Sequence, residues 1–300
     1  MNNQSENPTP VIDYEGSDYQ TSFWKEGGRE YEDRCEQIAL KRLLQDQGEL
    51  LLEIGAGAGR NTPRYTGFKR VVLLDYSLTQ VQQAQEYLGK SDKYVYVAGD
   101  VYRLPFVDNL FDGATMIRVL HHMQDPTSAL DQIGRVVLSQ SPFLLEYANK
   151  QNLKAMLRYS LGKQEWNPFT LEAIEFEKLN FDFHPKSVKK LLAEASFKLE
   201  RQLTVSHFRI NFLKKWVPTG LLVALDSAAQ FTGNWWQLSP SVFTRSISEK
   251  NPLDKPIEGF FQCPACHNPL PEAEPDADKL VCPSCTKTYP VVDGIYDFRN

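Results

Sequence analysis

No stretch of this sequence is apolar over the ~20 residues that a bilayer-crossing helix needs. The opening MNNQSENPTPVIDYEG has neither the charged start nor the apolar run of a secretory signal. Neither a membrane span nor export is expected, and the chain reads as cytoplasmic. Positive charge is scarce as well: 33 Lys and Arg against 38 Asp and Glu give a net charge of -5, which argues against general affinity for nucleic acid. The deficit is uneven, because residues 150–216 hold 13 cations and 7 acids while the segments on either side are acidic. Cysteine is rarer still, with five in the chain and none between Cys35 and Cys263. Four of the five form two Cys-x-x-Cys pairs, a pattern for metal rather than for a disulfide framework.

What is present is 42% apolar residues in a chain of 300, enough for one large core with an appendage. Cys35, Ile38, Ala39 and Leu43 have helical spacing and predict a helix over 29–47. Short apolar runs at 50–54, 71–74, 94–98, 114–117 and 143–146 alternate with helical patterns. That alternation predicts an α/β fold with a doubly wound, mostly parallel sheet. Beyond Ala148 the pattern changes to helical stretches, a strand at 199–205, two apolar helical stretches near Leu213 and Leu222, and a strand at 242–246. The expected organisation is an N-terminal segment 1–28, a core 29–149, cap helices and final strands 150–249, a proline-bearing linker 250–258 and a cysteine module 259–300.

The chemistry begins at Glu53-Ile-Gly55-Ala-Gly57-Ala-Gly59, where a predicted strand runs into a turn of small residues against which a ligand can lie. Asp75 ends the second strand, where a carboxylate can accept from ribose hydroxyls, and Asp100 with Val101 follows the third. One loop and two acids at three consecutive strand ends describe a single adenosine site. A dinucleotide enzyme shares the glycines and the ribose acid, but its spacing is G-x-G-x-x-G whereas this loop is G-x-G-x-G, and it has no role for Asp100.

These residues, with Leu104-Pro105-Phe106, Phe111-Asp112, Val119-Leu120-His121-His122 and Asp125-Pro126, resemble the class I S-adenosylmethionine-dependent methyltransferases over about 29–149. The resemblance is to the branch that includes ubiquinone and menaquinone biosynthesis enzymes, and it implies a seven-stranded sheet and S-adenosylmethionine as cofactor. It places Glu53, Gly55, Gly57, Gly59, Asp75, Asp100 and Val101 at the cofactor. The usual Pro-Gly-Gly turn before strand five is replaced by Ser139-Gln140-Ser141-Pro142. Candidate catalytic residues sit at the ends of strands four and five. His121 or His122 can take a proton from an acceptor, or can serve only to bond its own turn. Arg118, Glu146, Tyr147 and Asn149 are further candidates for orienting an acceptor. The absence of a cysteine between Cys35 and Cys263 argues against carbon-5 cytosine methylation, which needs a thiolate, and Ile117-Arg118-Val119-Leu120 replaces the Asn/Asp-Pro-Pro-Tyr/Phe tetrapeptide of many adenine and glutamine N-methyltransferases. Asp13, Tyr14, Tyr19, Phe23 and Trp24 can close over the cofactor as an aromatic lid or serve as packing residues.

Cys263, Cys266, Cys282 and Cys285 fit a closed, structural tetrahedral zinc site, with the 15 residues between the pairs sufficient for a hairpin. A metal-free redox relay is the alternative. With KTYPVVDGIYDF, the segment 260–299 resembles the zinc-ribbon family that includes the small activator subunit of several eukaryotic RNA and protein methyltransferases. That resemblance implies a ribbon that stabilises the methyltransferase domain, here in cis, by adding a strand from 290–292 or 295–298 to a sheet edge. The cofactor loop is expected on a separate sheet. Two function classes follow: methylation of a small or lipid-like metabolite with the ribbon as stabiliser, or methylation of RNA or protein with the ribbon or basic cap reading the substrate. Lys279, Lys287 and Arg299 against twice as many acids in the ribbon argue against nucleic-acid reading by the ribbon itself.

Overall fold

The computed structural model describes residues 9–10, 15–16, 28–44, 47–251, 258–272 and 277–299. The aromatic lid expected from Asp13, Tyr14, Tyr19, Phe23 and Trp24 lies outside the described residues, as do residues 252–257 of the expected linker. Helix α1 (Glu30–Leu43) leads into β1 (Gly48–Ile54), β2 (Phe68–Asp75), α2 (Leu78–Leu88), β3 (Tyr94–Ala98), β4 (Gly113–Met116), α3 (Pro126–Val136) and β5 (Pro142–Ala148). Then come α4 (Leu153–Ser160), the hairpin β6 (Ile174–Glu177) and β7 (Asn180–Asp182), α5 (Pro185–Glu194), β8 (Phe197–Val205), α6 (Asn211–Trp216), α7 (Thr219–Ala229) and β9 (Ser241–Ser248). The C-terminal module contributes β10 (Lys279–Val281), β11 (Thr288–Val292) and β12 (Ile295–Asp297).

Local chemistry sets several of these boundaries. Ser77 caps α2 by accepting from the Gln80 N–H, and Asp125 caps α3 by accepting from Ser128, with Pro126 in the first turn. His184, inside the Phe181–Pro185 stretch, accepts from the Lys186 N–H and caps α5. The buried faces follow periodicity: α1 buries Tyr31, Cys35, Ala39 and Leu43, and successive residues of β5 alternate between two cores. Helices α1, α2 and α7 cover one face of the sheet, α3 and α5 the other, which is the doubly wound arrangement.

The sheet has ten strands in the order β10-β11-β12-β3-β2-β1-β4-β5-β9-β8. The seven expected from the methyltransferase resemblance run from β3 to β8, with β9 antiparallel to β5 and β8 antiparallel to β9. The other three belong to the cysteine module, so the expected separation into two sheets is corrected: the module and the cofactor loop share one sheet. The connection is β12, which runs parallel to β3 with Ile295 opposite Tyr96 and Asp297 opposite Ala98. The 295–298 strand addition is therefore the one observed, and 290–292 falls in β11. Phe261 bridges to Phe106, and the Gln262 and Phe298 N–H groups donate to the Pro105 and Ala98 carbonyls. Phe261 stacks on Phe106 with centroids 5.9 Å apart and meets Tyr296 and Phe298 at 4.6 and 5.0 Å, so the module's own core is continuous with that of the sheet.

Candidate active site

At the C-terminal end of β1 the chain turns through Gly55, Gly57 and Gly59, whose φ angles are +64°, +54° and +76°. Gly55 is required twice over, since a Cβ there would also lie 2.1 Å from a Val119 methyl. At Gly57 the only neighbour of such a Cβ is the Gln80 side chain at 3.7 Å, so this backbone faces open space. Asp75, ending β2, accepts from the Gly57 N–H at 2.8 Å and the Ser77 N–H at 3.0 Å, and so holds the loop. Asp100 after β3 caps the next turn by accepting from the Tyr102 N–H and pairs with Arg103, while Val101 is buried beside it. The glycine loop, Asp75, Asp100 and Val101 thus stand at the ends of three neighbouring parallel strands.

Glu53 occupies a different place. Its carboxyl turns inward, accepting from the Thr62 and Tyr65 hydroxyls at 2.6 and 3.1 Å, and braces the loop from behind. Burial pushes its pKa up to about 7, against the lowering effect of those two hydrogen bonds. Because the folded pKa is raised above the unfolded 4.5, the folded state binds more protons between pH 4.5 and about 7, and stability falls as pH rises through that window. Glu53→Gln imitates the protonated acid. The variant should lose that part of the pH dependence and be more stable than the parent by up to ~3 kcal/mol at pH 8, as measured by urea melts at pH 5 and 8. An unchanged difference between the two pH values would contradict this account of Glu53.

Beyond β4, Arg118 adopts φ +61°, a left-handed conformation uncommon for a side chain of this size. Two carboxylates hold it: its N–H donates to Glu146 at 3.0 Å, and its guanidinium meets Glu36 at 2.8 Å. Glu36 is fully buried and also pairs with Arg60 at 2.9 Å. Burial alone would raise its pKa, but Arg118 and Arg60 outweigh burial and hold it below the usual range. Glu146 shows the opposite balance, its pKa raised by burial despite Arg118 and a 2.6 Å bond from Ser241. His121 and His122 follow in a 3-10 turn, their rings 4.0 Å apart. Burial, the neighbouring His122, Arg118 and Arg209 keep the His121 imidazole neutral, and its Nδ1 is buried with no hydrogen-bond partner among the described residues. His122 Nδ1 meets the Leu179 carbonyl at 3.2 Å, which ties the turn to the β6–β7 hairpin.

Two candidates do not join this group. Tyr147 lies on the opposite face of β5 from Glu146, wholly buried in the larger core with its hydroxyl unpartnered among the described residues. Asn149 is a staple, its amide donating to the Gln237 and Ser239 carbonyls. The structure adds residues that the sequence reading missed. Arg209, just after β8, lies 3.6 Å from Glu32, and Asp182 on β7 has its pKa pushed up to about 6 by burial and by Glu146, with Arg209 and Lys150 opposing. Glu32 and Glu36 carried a signal, as acids placed on the otherwise apolar stripe of α1; Arg209 and Asp182 carried none.

The four cysteine sulfurs lie within 4.8 Å of one another. A tetrahedral zinc–thiolate site, with bonds of ~2.3 Å, separates its sulfurs by ~3.8 Å, and Cys263–Cys285 and Cys266–Cys282 stand at 3.6 and 3.4 Å. The two knuckles are built alike: the His267 and Thr286 N–H groups donate back to the Cys263 and Cys282 carbonyls, and both residues have φ +59°. His267 points elsewhere, its ring 3.2 Å from the Gln262 amide. The four residues are positioned to bind metal.

The family model described as a methyltransferase domain matches residues 52–145. The chain carries a methyltransferase domain. That stretch contains the glycine loop, Asp75, Asp100 and the Arg118–His122 segment. A second model, Trm112p-like protein, matches residues 260–294 and takes in all four cysteines. Among curated relatives of the methyltransferase domain, an O-methyltransferase of Penicillium expansum is 36% identical over 101 residues, which is 32% of this chain and 37% of that protein. A demethylmenaquinone methyltransferase of Corynebacterium kroppenstedtii is 35% identical over 98 residues, 32% of this chain and 41% of that protein. The match thus spans about two fifths of the length of these relatives. Among solved structures, a complex between the Haloferax volcanii Trm112 methyltransferase activator and a methyltransferase aligns with 77% of this chain and 96% of its own at a TM-score of 0.55 and 16% identity, a likeness of fold. No described helix is long and apolar enough to cross a membrane.

Proposed function

We propose that the chain is an S-adenosylmethionine-dependent methyltransferase acting on an oxygen, nitrogen or activated carbon of a small or lipid-like metabolite. The observation that carries this reading is the convergence of the glycine loop, Asp75 and Asp100 at three adjacent strand ends. Asp75 spends one lone pair on Gly57 and one on Ser77. At the end of β2 its carboxylate is placed to accept from the ribose hydroxyls; Asp100 and Val101 hold the adenine, and Gly55, Gly57 and Gly59 admit the rest of the cofactor against their backbone. Glu53 acts as a positioning residue through Thr62 and Tyr65. When bound, the cofactor supplies a methyl group already activated by a sulfonium.

The chain's own residues then have three tasks. Neutral His121, with an unpartnered Nδ1, takes a proton from a hydroxyl or amine acceptor. Arg118, Arg209 and Asp182 orient the acceptor, with Arg118 locked by Glu36 and Glu146. The hairpin joined to His122 walls the site from water. The name of the demethylmenaquinone methyltransferase relative supports a metabolite acceptor, and that of the O-methyltransferase relative an oxygen as accepting atom. Cys263, Cys266, Cys282 and Cys285 would hold zinc as a structural ion, since four thiolates leave no coordination position for a reaction. The β12–β3 pairing supports the module's role as a stabiliser in cis rather than a substrate reader, because its apolar face is spent on the sheet.

Calorimetry with S-adenosylmethionine tests the cofactor assignment. Asp75→Ala should weaken binding by ~1–3 kcal/mol, because the ribose hydroxyls lose a charged acceptor and Gly57 loses its anchor. Unchanged affinity, or no binding by the parent chain, would remove the assignment.

A further inference from the structure

Ala148 at the end of β5 pairs with Ser241 at the start of β9, and Ser241 pairs in turn with Val205 at the end of β8. Residues 149–163 and 206–238 therefore both leave the sheet at the end where Gly55, Asp75 and Arg118 stand. These two segments hold a concentration of exposed apolar side chains. Trp235, Trp216 and Phe212 are 74%, 70% and 69% exposed, and Trp236, Leu157 and Leu161 are exposed as well. The segments are tied together, the Leu153 N–H donating to the Leu238 carbonyl at 2.9 Å and the Asn149 amide to the Gln237 carbonyl. Their exposed charge is one-sided: Lys154, Arg158, Lys163 and Lys215 are exposed, Lys150 and the single acid, Asp226, are buried, and Arg209 and Lys214 pair with Glu32.

We infer that this end of the molecule docks on the surface of an anionic lipid bilayer. Indole rings settle at the headgroup level, leucine and phenylalanine side chains enter the acyl boundary, and lysines around them meet lipid phosphates. A second copy of the chain is a poor occupant, since pairing this face with itself would bring the four exposed cations against their own copies. A nucleic acid would satisfy the cations and stack on the rings, but it offers the exposed leucines nothing that removes them from water. Docking here sets the mouth of the proposed site against the membrane, where an apolar acceptor dissolved in lipid is within reach. The inference does not depend on the methyl-transfer reading and is tested without an acceptor.

The full-length chain is mixed with vesicles of phosphatidylcholine alone and of phosphatidylcholine with phosphatidylglycerol, and bound protein is separated by flotation while tryptophan emission is recorded. The expected result is binding to the anionic vesicles, with a blue shift, weakened by added salt. Lys154→Glu with Lys215→Glu should reduce the partition coefficient by on the order of tenfold or more. Trp235→Ala with Trp236→Ala should reduce it similarly and abolish most of the blue shift. Melting temperatures equal to the parent's confirm that these exposed positions were changed without unfolding. The inference is overturned by absence of anionic-vesicle binding, by equal binding to both vesicle types, or by indifference to the substitutions. Patch-dependent self-association on a sizing column, or binding of a polyanion in place of vesicles, would overturn it equally.

Discussion

Replacing Cys263 and Cys266 by serine, or stripping the proposed zinc with a chelator, is expected to unfold the C-terminal module and to lower the melting temperature of the whole protein by about 10 °C or more. The first effect is large because zinc provides on the order of 10 kcal/mol of folding free energy to modules with little core of their own. The second follows from the shared sheet. Losing β12 leaves β3 as an open edge, which invites pairing with other chains. It also uncovers Phe106, against which Phe260 and Phe261 now pack, at ~1.5–3 kcal/mol for each large side chain returned to water. Cofactor affinity should fall as well. A module on its own sheet would leave that affinity alone, but here the Phe298 N–H is bonded to the Ala98 carbonyl, two residues before Asp100. The measurements are calorimetric melts and S-adenosylmethionine titrations of the parent, the double serine variant and a chain truncated after Lys250. A truncated chain melting at the parent's temperature would sink the stabiliser role.

The second large effect is expected at Arg118. Arg118→Met leaves Glu36 buried with Arg60 as its remaining ion-pair partner, and removal of one partner from such a buried pair costs about 3–5 kcal/mol. The pH dependence should weaken with it. In the parent, the folded pKa of Glu36 is depressed, so its contribution is present above the unfolded value of 4.5 and is lost as pH falls through the folded one. In the variant burial is opposed by Arg60 without Arg118, so the depression of the folded pKa shrinks and less stability is lost as pH falls. Glu36→Gln in the same chain should recover much of the loss. Urea melts of the single and double variants between pH 4 and 8 measure this, and a loss below ~1 kcal/mol, or additive effects, would show that Glu36 does not depend on Arg118.

Much of the architecture was legible because the signals were local. The strands at 50–54, 94–98 and 242–246 were short apolar runs with turns at their ends, and the four-cysteine knuckles announced themselves by spacing. The glycine loop was legible because Gly55, Gly57 and Gly59 need backbone angles and clearances that other residues resist. The site was harder to read where its parts come together only through topology. Arg209 and Asp182 reach the neighbourhood of Arg118 from β8 and β7, far along the chain, and nothing in their flanking residues marks them. Tyr147 misled for the opposite reason: it follows Glu146 in sequence, but the pleat of β5 sends the two side chains to opposite faces. The joining of two expected sheets into one was a matter of which edge β12 would choose, and strand pairing over such a distance leaves no periodic trace.

That choice of edge also has a temporal side. Ile295 pairs with Tyr96, so β3 meets its neighbour only after the ribosome has made the roughly two hundred residues between them. At ~5–20 residues per second this takes about ten to forty seconds. For that interval the nascent core holds an unpaired parallel edge, and slower translation of the cysteine module lengthens its exposure.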